Sequence, residues 1–336
     1  MRICVLGKRG SVIGWVEAAV AAWRASGHAV LHAVFRDSRL NPSLERLLYA
    51  QRFGAPRATA LVRHIKAFAP DLIVAIDAFS TPPTLLARLR AVPDLPPLLG
   101  WVGDGFGDYA RRIAPYFDAI CYTDSGLISL HTDFGLPCAA HYLPHAANML
   151  LQAAVPAKAC RHELVFVANP TAHRQATLVQ LREPVVVHGP GWHLMAGTVH
   201  EVHARRVATG LLGEIYRAHA AVLNIRNETH VLAGLNQRNF DPFLCGAAVL
   251  TDPQPDLERC FDPDREVLVW RDPAEIDEVS ARLRREPTWA ARVATNGLRR
   301  VRDEHTYAAR LSSLARLSGV RASPTFARRP LAHARR

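Results

Sequence analysis

Apolar runs rich in β-branched residues recur along the chain, separated by polar-faced segments of helical period. In the first half they are RICVLG (2–7), HAVLHAVF (28–35), DLIVAID (71–77), PLLGWVGD (97–104), AICYTD (119–124) and AHYLPH (140–145). The segments 14–26, 57–69, 82–91 and 125–134 between them read as helices. Strands alternating with helices predict a parallel sheet with helices on both faces. The pattern weakens across LLQAAVPAKACRHE (150–163), which reads as a linker. A second series then begins: ELVFVAN (163–169), PVVVHG (184–189), AAVLNIR (220–226), AAVLTD (247–252) and EVLVW (266–270), closed by two helices at about 273–285 and 287–317. The expected fold is α/β, with two doubly wound domains, 1–155 and 156–300. The helix 301–317 is expected to pack back on the first domain, ahead of a tail, 318–336.

Length supports this division, since 336 residues exceed one ordinary core and suit two domains of roughly 150 each. No apolar run approaches the roughly 18 residues of a membrane span, and Met1-Arg2 leads straight into a strand-like run, so the reading is a cytoplasmic protein without a transmembrane segment. Six cysteines (4, 121, 138, 160, 245, 260) form no CxxC pair and read as small buried apolar residues.

The formal charge is +11, but five arginines (321, 328, 329, 335, 336) lie in the acid-free tail, and removing them leaves +6. With two prolines and no period, that tail reads as disordered. A mildly basic folded part fits a phosphate-bearing small ligand, and no nucleic-acid partner is expected. The first βα turn, LGKRGSVIG (6–14), has glycines at 7, 10 and 14 and lacks the G-x-G-x-x-G spacing of a dinucleotide site. No P-loop or H-E-x-x-H is present, and HYLPH (141–145) splits its histidines with a proline. No metal and no cofactor are expected.

Ligands of open parallel sheets sit beyond the carboxyl ends of the strands. Polar residues at those places are Asp77, Asp104, Asp124 and His145 in the first half, and Asn169, His188, Gly189 and Arg226 in the second. Asp77 and Asp124 also fit helix caps. Asp104 lies in WVGDGFGDY (101–109), whose glycines and aromatics suit a binding loop. The densest polar cluster is in NQRNFDPFLCGAAVLTD (236–252), where Asn236, Gln237, Arg238 and Asn239 precede Asp241 at a helix start. A helix N-terminus with a guanidinium fork suits a diphosphate. A plain Arg238–Asp241 surface pair is the alternative.

ELVFVANPTAHR, VVVHGPGW, EIYRAHAAVLNIR, GLNQRNFDPFLCGAAVLTD, FDPDREVLVWRDPAEI and RVRDEHTYAARL stand in this order. With YFDAICYTDSGLISLHTDFGLPCAAHYLPHAAN (116–148), they resemble the GT-B glycosyltransferases, most closely the spore-maturation CgeB-like family, over roughly residues 116–315. The resemblance implies a GT-B fold: two Rossmann-like domains facing across a cleft, the first for the acceptor and the second for the nucleotide-sugar donor. It implies transfer of a sugar to a hydroxyl of a glycan, protein or small molecule, as in bacterial surface glycan assembly or protein glycosylation. Asp241 matches the family's second glutamate, which holds the ribose hydroxyls. The first, eight positions earlier, is replaced by Ala233, leaving Glu228 or His230 as substitutes and the retaining mechanism in doubt.

On this reading Gly189, Gly191 and Trp192 border the donor, with Trp192 either on the base or in the core. Asn169, Arg174 and Arg226 face the same cleft. Arg238, Arg174 and the helix dipole compensate the leaving diphosphate without a metal. Asp104, with Asp77 or His145 behind it, is the candidate base, and Lys8 and Arg9 reach the same cleft. His305 and Tyr307 read as anchors of the last helix. A nucleotide-sugar epimerase, or a noncatalytic surface-assembly or nucleic-acid-binding protein, are the other readings.

Overall fold

The computed structural model describes residues 1–10, 14–37, 55–151 and 161–319. The centre of the expected linker, Cys160 and the tail beyond 319 lie outside them. The first half forms β1 (Arg2–Arg9), β2 (Ala29–Asp37), β3 (Leu72–Ile76), β4 (Leu98–Val102), β5 (Ala119–Tyr122) and β6 (Ala139–Tyr142). The second forms β7 (Arg161–Val167), β8 (Val185–His188), β9 (Glu201–His203), β10 (His219–Asn224), β11 (Ala248–Thr251) and β12 (Leu268–Val269). Every strand pairing in both sheets is parallel. That is why the strands read as continuous apolar runs: β3 and β4 are buried at all five positions, with helices over both faces.

The two sheets run in the orders β2-β1-β3-β4-β5-β6 and β12-β11-β10-β7-β8-β9. Each reverses direction once, between β1 and β3 in the first and between β7 and β10 in the second. Such reversals open crevices at the carboxyl ends of the strands. β9, only three residues long, is absent from the sequence reading because EVH is too short to show a period.

One expected element differs. The helix expected over 287–317 is two helices, Pro287–Glu304 and Tyr307–Leu317. The break falls at Thr306, whose hydroxyl accepts the Ala309 N–H at 3.2 Å as an N-cap. It lets the last helix leave the second sheet and pack on the helix Trp15–Ala25, where Tyr307, Leu311 and Leu314 join Trp23 in one apolar cluster. Burying each leucine there contributes roughly 1.5–3 kcal/mol. The indole N–H of Trp23 donates to the Tyr307 carbonyl at 2.8 Å. His305, at the break, accepts from Arg310 on Nδ1 at 2.7 Å and meets the Cys260 carbonyl through Nε2 at 2.8 Å.

The halves also meet at the end of β5. Asp124 caps locally, accepting the Gly126 N–H at 2.8 Å, but its carboxylate also reaches the second half. There it accepts the N–H groups of Leu232 at 2.8 Å and Ala233 at 3.0 Å. Gly234 is required beneath it, because a Cβ there would lie 2.6 Å from Asp124 Cα. Next to it, the Ser125 N–H donates to Asp256 at 2.8 Å.

Candidate functional site

A cleft of about 910 Å³ opens between the two sheets. The first half contributes Asp104 and His145, and the second contributes Asn169, Arg174, Gly189, Asn236, Arg238 and Asp241. Sequence reasoning brought these eight together. Asp77, Arg226, Asn239, Gly191 and Trp192 do not line it.

The second half's wall is built at its own topological reversal. Arg238 spans the two diverging strands, donating from Nη1 to the carbonyl of Val167 at the end of β7 (3.3 Å) and from Nε to Asn224 Oδ1 at the end of β10 (3.0 Å). Arg174, in the helix Ala172–Val179 after β7, bridges the same gap through Ile225 O at 3.0 Å and Asn169 O at 2.9 Å. Among the described residues, neither guanidinium has a carboxylate within ion-pair distance. Burial and the adjacent Arg238 charge push Arg174 down to about 9, so it remains a cation at neutral pH. Two like charges held together by neutral acceptors form a site that an anion relieves.

The amides that crowd this segment hold the arginine in place. Asn224 is fully buried and donates from Nδ2 to Asn239 Oδ1 and Thr251 Oγ1, each at 3.0 Å. Its Oδ1 accepts from Asn236 as well as Arg238, both at 3.0 Å. Asn239 also donates to Thr251 at 3.0 Å and is fully buried, so its expected contact with the ligand is corrected to a supporting role. Asn224 is the residue sequence reasoning missed; its only signal is an amide inside the apolar run AAVLNIR.

Four further expectations are corrected. Trp192 is fully buried, donates its indole N–H to Ala168 O at 2.6 Å and packs edge-on against Phe166, so it belongs to the core. Arg226 is tied to Asp252, through its N–H at 3.1 Å and its guanidinium at 3.5 Å, and does not line the cleft. The expected helix N-terminus is a 3₁₀ turn, Gln237–Asn239, followed by a single-turn helix, Asp241–Leu244. Asn236 Oδ1 already accepts the Arg238 N–H at 2.9 Å, so little helix dipole remains for a phosphate. Gly191, expected to border the donor, does not line the cleft and instead turns the chain at φ 92° against Pro170.

Asp241 is 2% exposed at the base of the cleft. Its Oδ1 accepts the Asn148 N–H at 2.8 Å and the Gln237 amide at 3.1 Å. It does not form the surface pair with Arg238. Burial pushes its carboxyl up to about 7 against these hydrogen bonds and the Arg238 charge. The raised value fixes the sign of a pH effect. The cost of ionising Asp241 is absent below its unfolded value of about 3.9, grows between there and about 7, and is complete above. Ligand-free stability from this group therefore falls as pH rises through that window, and Asp241→Asn removes the slope in urea titrations. A nucleoside held by the ionised carboxylate should bind more tightly from about pH 6 to about pH 8 in the native protein, and with no such trend in Asp241→Asn, read by calorimetry.

On the opposite wall, Asp104 is exposed to the cleft, and burial of its surroundings together with Asp77 pushes its carboxyl up, while His230 and Lys8 pull it down. His145 is buried, with no partner for Nδ1 among the described residues, and burial and Arg310 push its imidazole down to about 3. It is therefore neutral and a weak base. Asp77 makes no cap and pairs with Lys8 at 2.7 Å. Of the two substitutes considered for the missing glutamate, His230 lines the cleft and Glu228 does not, being bound to Thr171 Oγ1 at 3.1 Å.

Residues 171–316 match the family described as glycosyl transferase-like. No curated protein sequence matches the chain. Among solved structures, the chain is similar to HepE of Anabaena in complex with UDP, at 13% identity and TM-score 0.64 over 94% of this chain and 99% of that one. A UDP-glucose complex of the same protein gives 12% identity and TM-score 0.64, over 94% and 98%. Sucrose-phosphate synthase of Thermosynechococcus elongatus follows at 14% identity and TM-score 0.61, over 94% and 98%. The fold is GT-B, two doubly wound domains facing across a cleft. Among the described residues no helix is long and apolar enough to cross a membrane.

Proposed function

We propose that the protein is a glycosyltransferase that moves a sugar from a nucleoside-diphosphate-sugar donor to a hydroxyl of a glycan, protein or small molecule. The observation that carries this reading is the pair of guanidiniums, Arg174 and Arg238, without a carboxylate partner among the described residues, at the reversal of the second sheet, beside the buried carboxylate of Asp241. The pair compensates the leaving diphosphate where other transferases use a metal. Asp241 accepts the ribose hydroxyls. The family match over the donor half supports the class, and the six ordered motifs support a CgeB-like assignment within it. Because the HepE structures contain UDP and UDP-glucose, a UDP-hexose is the first donor to test.

For an inverting transfer, Asp104 is the base. Its raised carboxyl is a better proton acceptor than an ordinary aspartate, and His145, held neutral, does not compete for the proton.

Calorimetry with UDP, GDP, TDP and CMP tests the reading. One diphosphate should bind well above the others, and turnover of its sugar conjugate should persist in EDTA. A protein that binds none of the four has no donor site.

A further inference from the structure

Beyond β6 the chain runs through residues 144–148, where His145 lines the cleft. Groups from residues 237–310 hold this stretch at five successive positions. Arg310 donates to Pro144 O at 2.7 Å and to His145 O at 2.8 Å, and the Ala147 N–H donates to His305 O at 2.9 Å. Gln237 Nε2 donates to Ala146 O at 2.7 Å, and the Asn148 N–H donates to Asp241 Oδ1 at 2.8 Å. The stretch is a fixed strut, and of the side chains that grip it Gln237 and Asp241 also line the cleft.

Gln237 Nε2 reaches Asp241 Oδ1 as well, at 3.1 Å. Both of its partners are acceptors, which fixes Nε2 on this side of the amide. Because Ala146 is held in the strut, the amide cannot turn from the carboxylate without giving up its shorter bond. Asp241 Oδ1 therefore carries two donors, and Oδ2 is left without a partner among the described residues. Packing alone does not explain an amide here. Gln237 is buried, yet its Oε1 has no partner among the described residues, a cost that a methionine of similar volume avoids.

We propose that Gln237 is a positioning residue of the nucleotide site: it turns the Asp241 carboxylate so that Oδ1 rests on the strut and Oδ2 meets the ribose, and it favours the ionised form. This rests on the reading of Asp241 as the ribose carboxylate. Two donors on one oxygen stabilise the anion against its burial, and both lower the value that burial raises to about 7. The other groups facing Asp241 stay out of that titration. Arg238 supplies the one formal charge. Tyr216 from the helix Thr209–Arg217, Tyr307 from the last helix and Cys245 are all pushed up by burial and stay neutral.

The test is calorimetric titration of the intact chain, from about pH 5.5 to about pH 9, with whichever of UDP, GDP, TDP and CMP binds. Gln237→Met should raise the pH at which binding strengthens by about one unit, which is about a fivefold loss at about pH 7 and less than about twofold at about pH 9. Gln237→Glu sets a second carboxylate against Oδ1 and should raise it further, because adjacent carboxyls do not both ionise readily. The ligand's own titration is common to every variant and cancels in the comparison. With Asp241→Asn in place, Gln237→Met should change affinity by less than about twofold.

An equal loss at every pH, or the same loss with Asp241→Asn in place, makes Gln237 a structural tie to the strut and overturns the proposal while leaving Asp241 its role. If Gln237→Met does not fold, Gln237→Glu decides alone, and an unmoved profile overturns the proposal. An Asp241→Asn protein that binds nucleotide as tightly as the native one removes the ribose reading, and the role of Gln237 falls with it. So does a native protein that binds none of the four.

Discussion

Arg238→Ala is expected to weaken nucleoside diphosphate binding by about tenfold or more while leaving the bare nucleoside nearly unchanged. The lost contact is charge-assisted, worth roughly 1.5–3 kcal/mol. The effect is selective because Arg238 sits over the reversal between β7 and β10, held by Asn224 and Val167, whereas the ribose is assigned to Asp241. Asp241→Ala should therefore fail differently, weakening nucleoside and diphosphate alike. Titrating both variants with both ligands separates the two roles. Reduced stability with unchanged ligand preference would make Arg238 a structural tie between strands and remove the donor site from this wall.

Gly189→Ala should be the most damaging single-methyl change in the second domain, costing about 3 kcal/mol or more in urea denaturation. Two causes add at this position. The backbone has φ 144°, which L side chains rarely adopt, and a Cβ would lie 2.1 Å from the Ala168 carbonyl. That carbonyl accepts the Trp192 indole, and the next residue, Asn169, holds Arg174, so the displacement passes to the anion site as well. Gly210→Ala is the control: it is exposed in the helix Thr209–Arg217, with nothing within 4 Å of an added Cβ, and should stabilise by about 0.5–1 kcal/mol. Equal midpoints for the two variants would show that the approach of β8 to the end of β7 is loose.

The fold was legible because its strands are apolar on both faces, which makes each run continuous and easy to count. The cleft was half legible for a related reason: strand ends can be located from the runs, and polar residues there are few. What sequence could not show is which polar groups turn inward. Asn239 and Asp241 lie two positions apart, yet one is consumed by Asn224 and Thr251 while the other borders the cleft. Trp192 could serve a base or a core equally well until the Ala168 carbonyl fixes its indole. Asp124 carries a local cap signal, but its partners Leu232 and Ala233 are more than a hundred residues away and offer only backbone N–H groups, which have no sequence signature.

That carboxylate has a mechanical meaning. It ties the first half to the segment 231–235, which forms one edge of the cleft, so the walls cannot part without exposing a charged group and the N–H groups it holds. The neighbouring Ser125 N–H is held by Asp256 at 2.8 Å, so parting at this edge would strip two carboxylates of backbone donors at once.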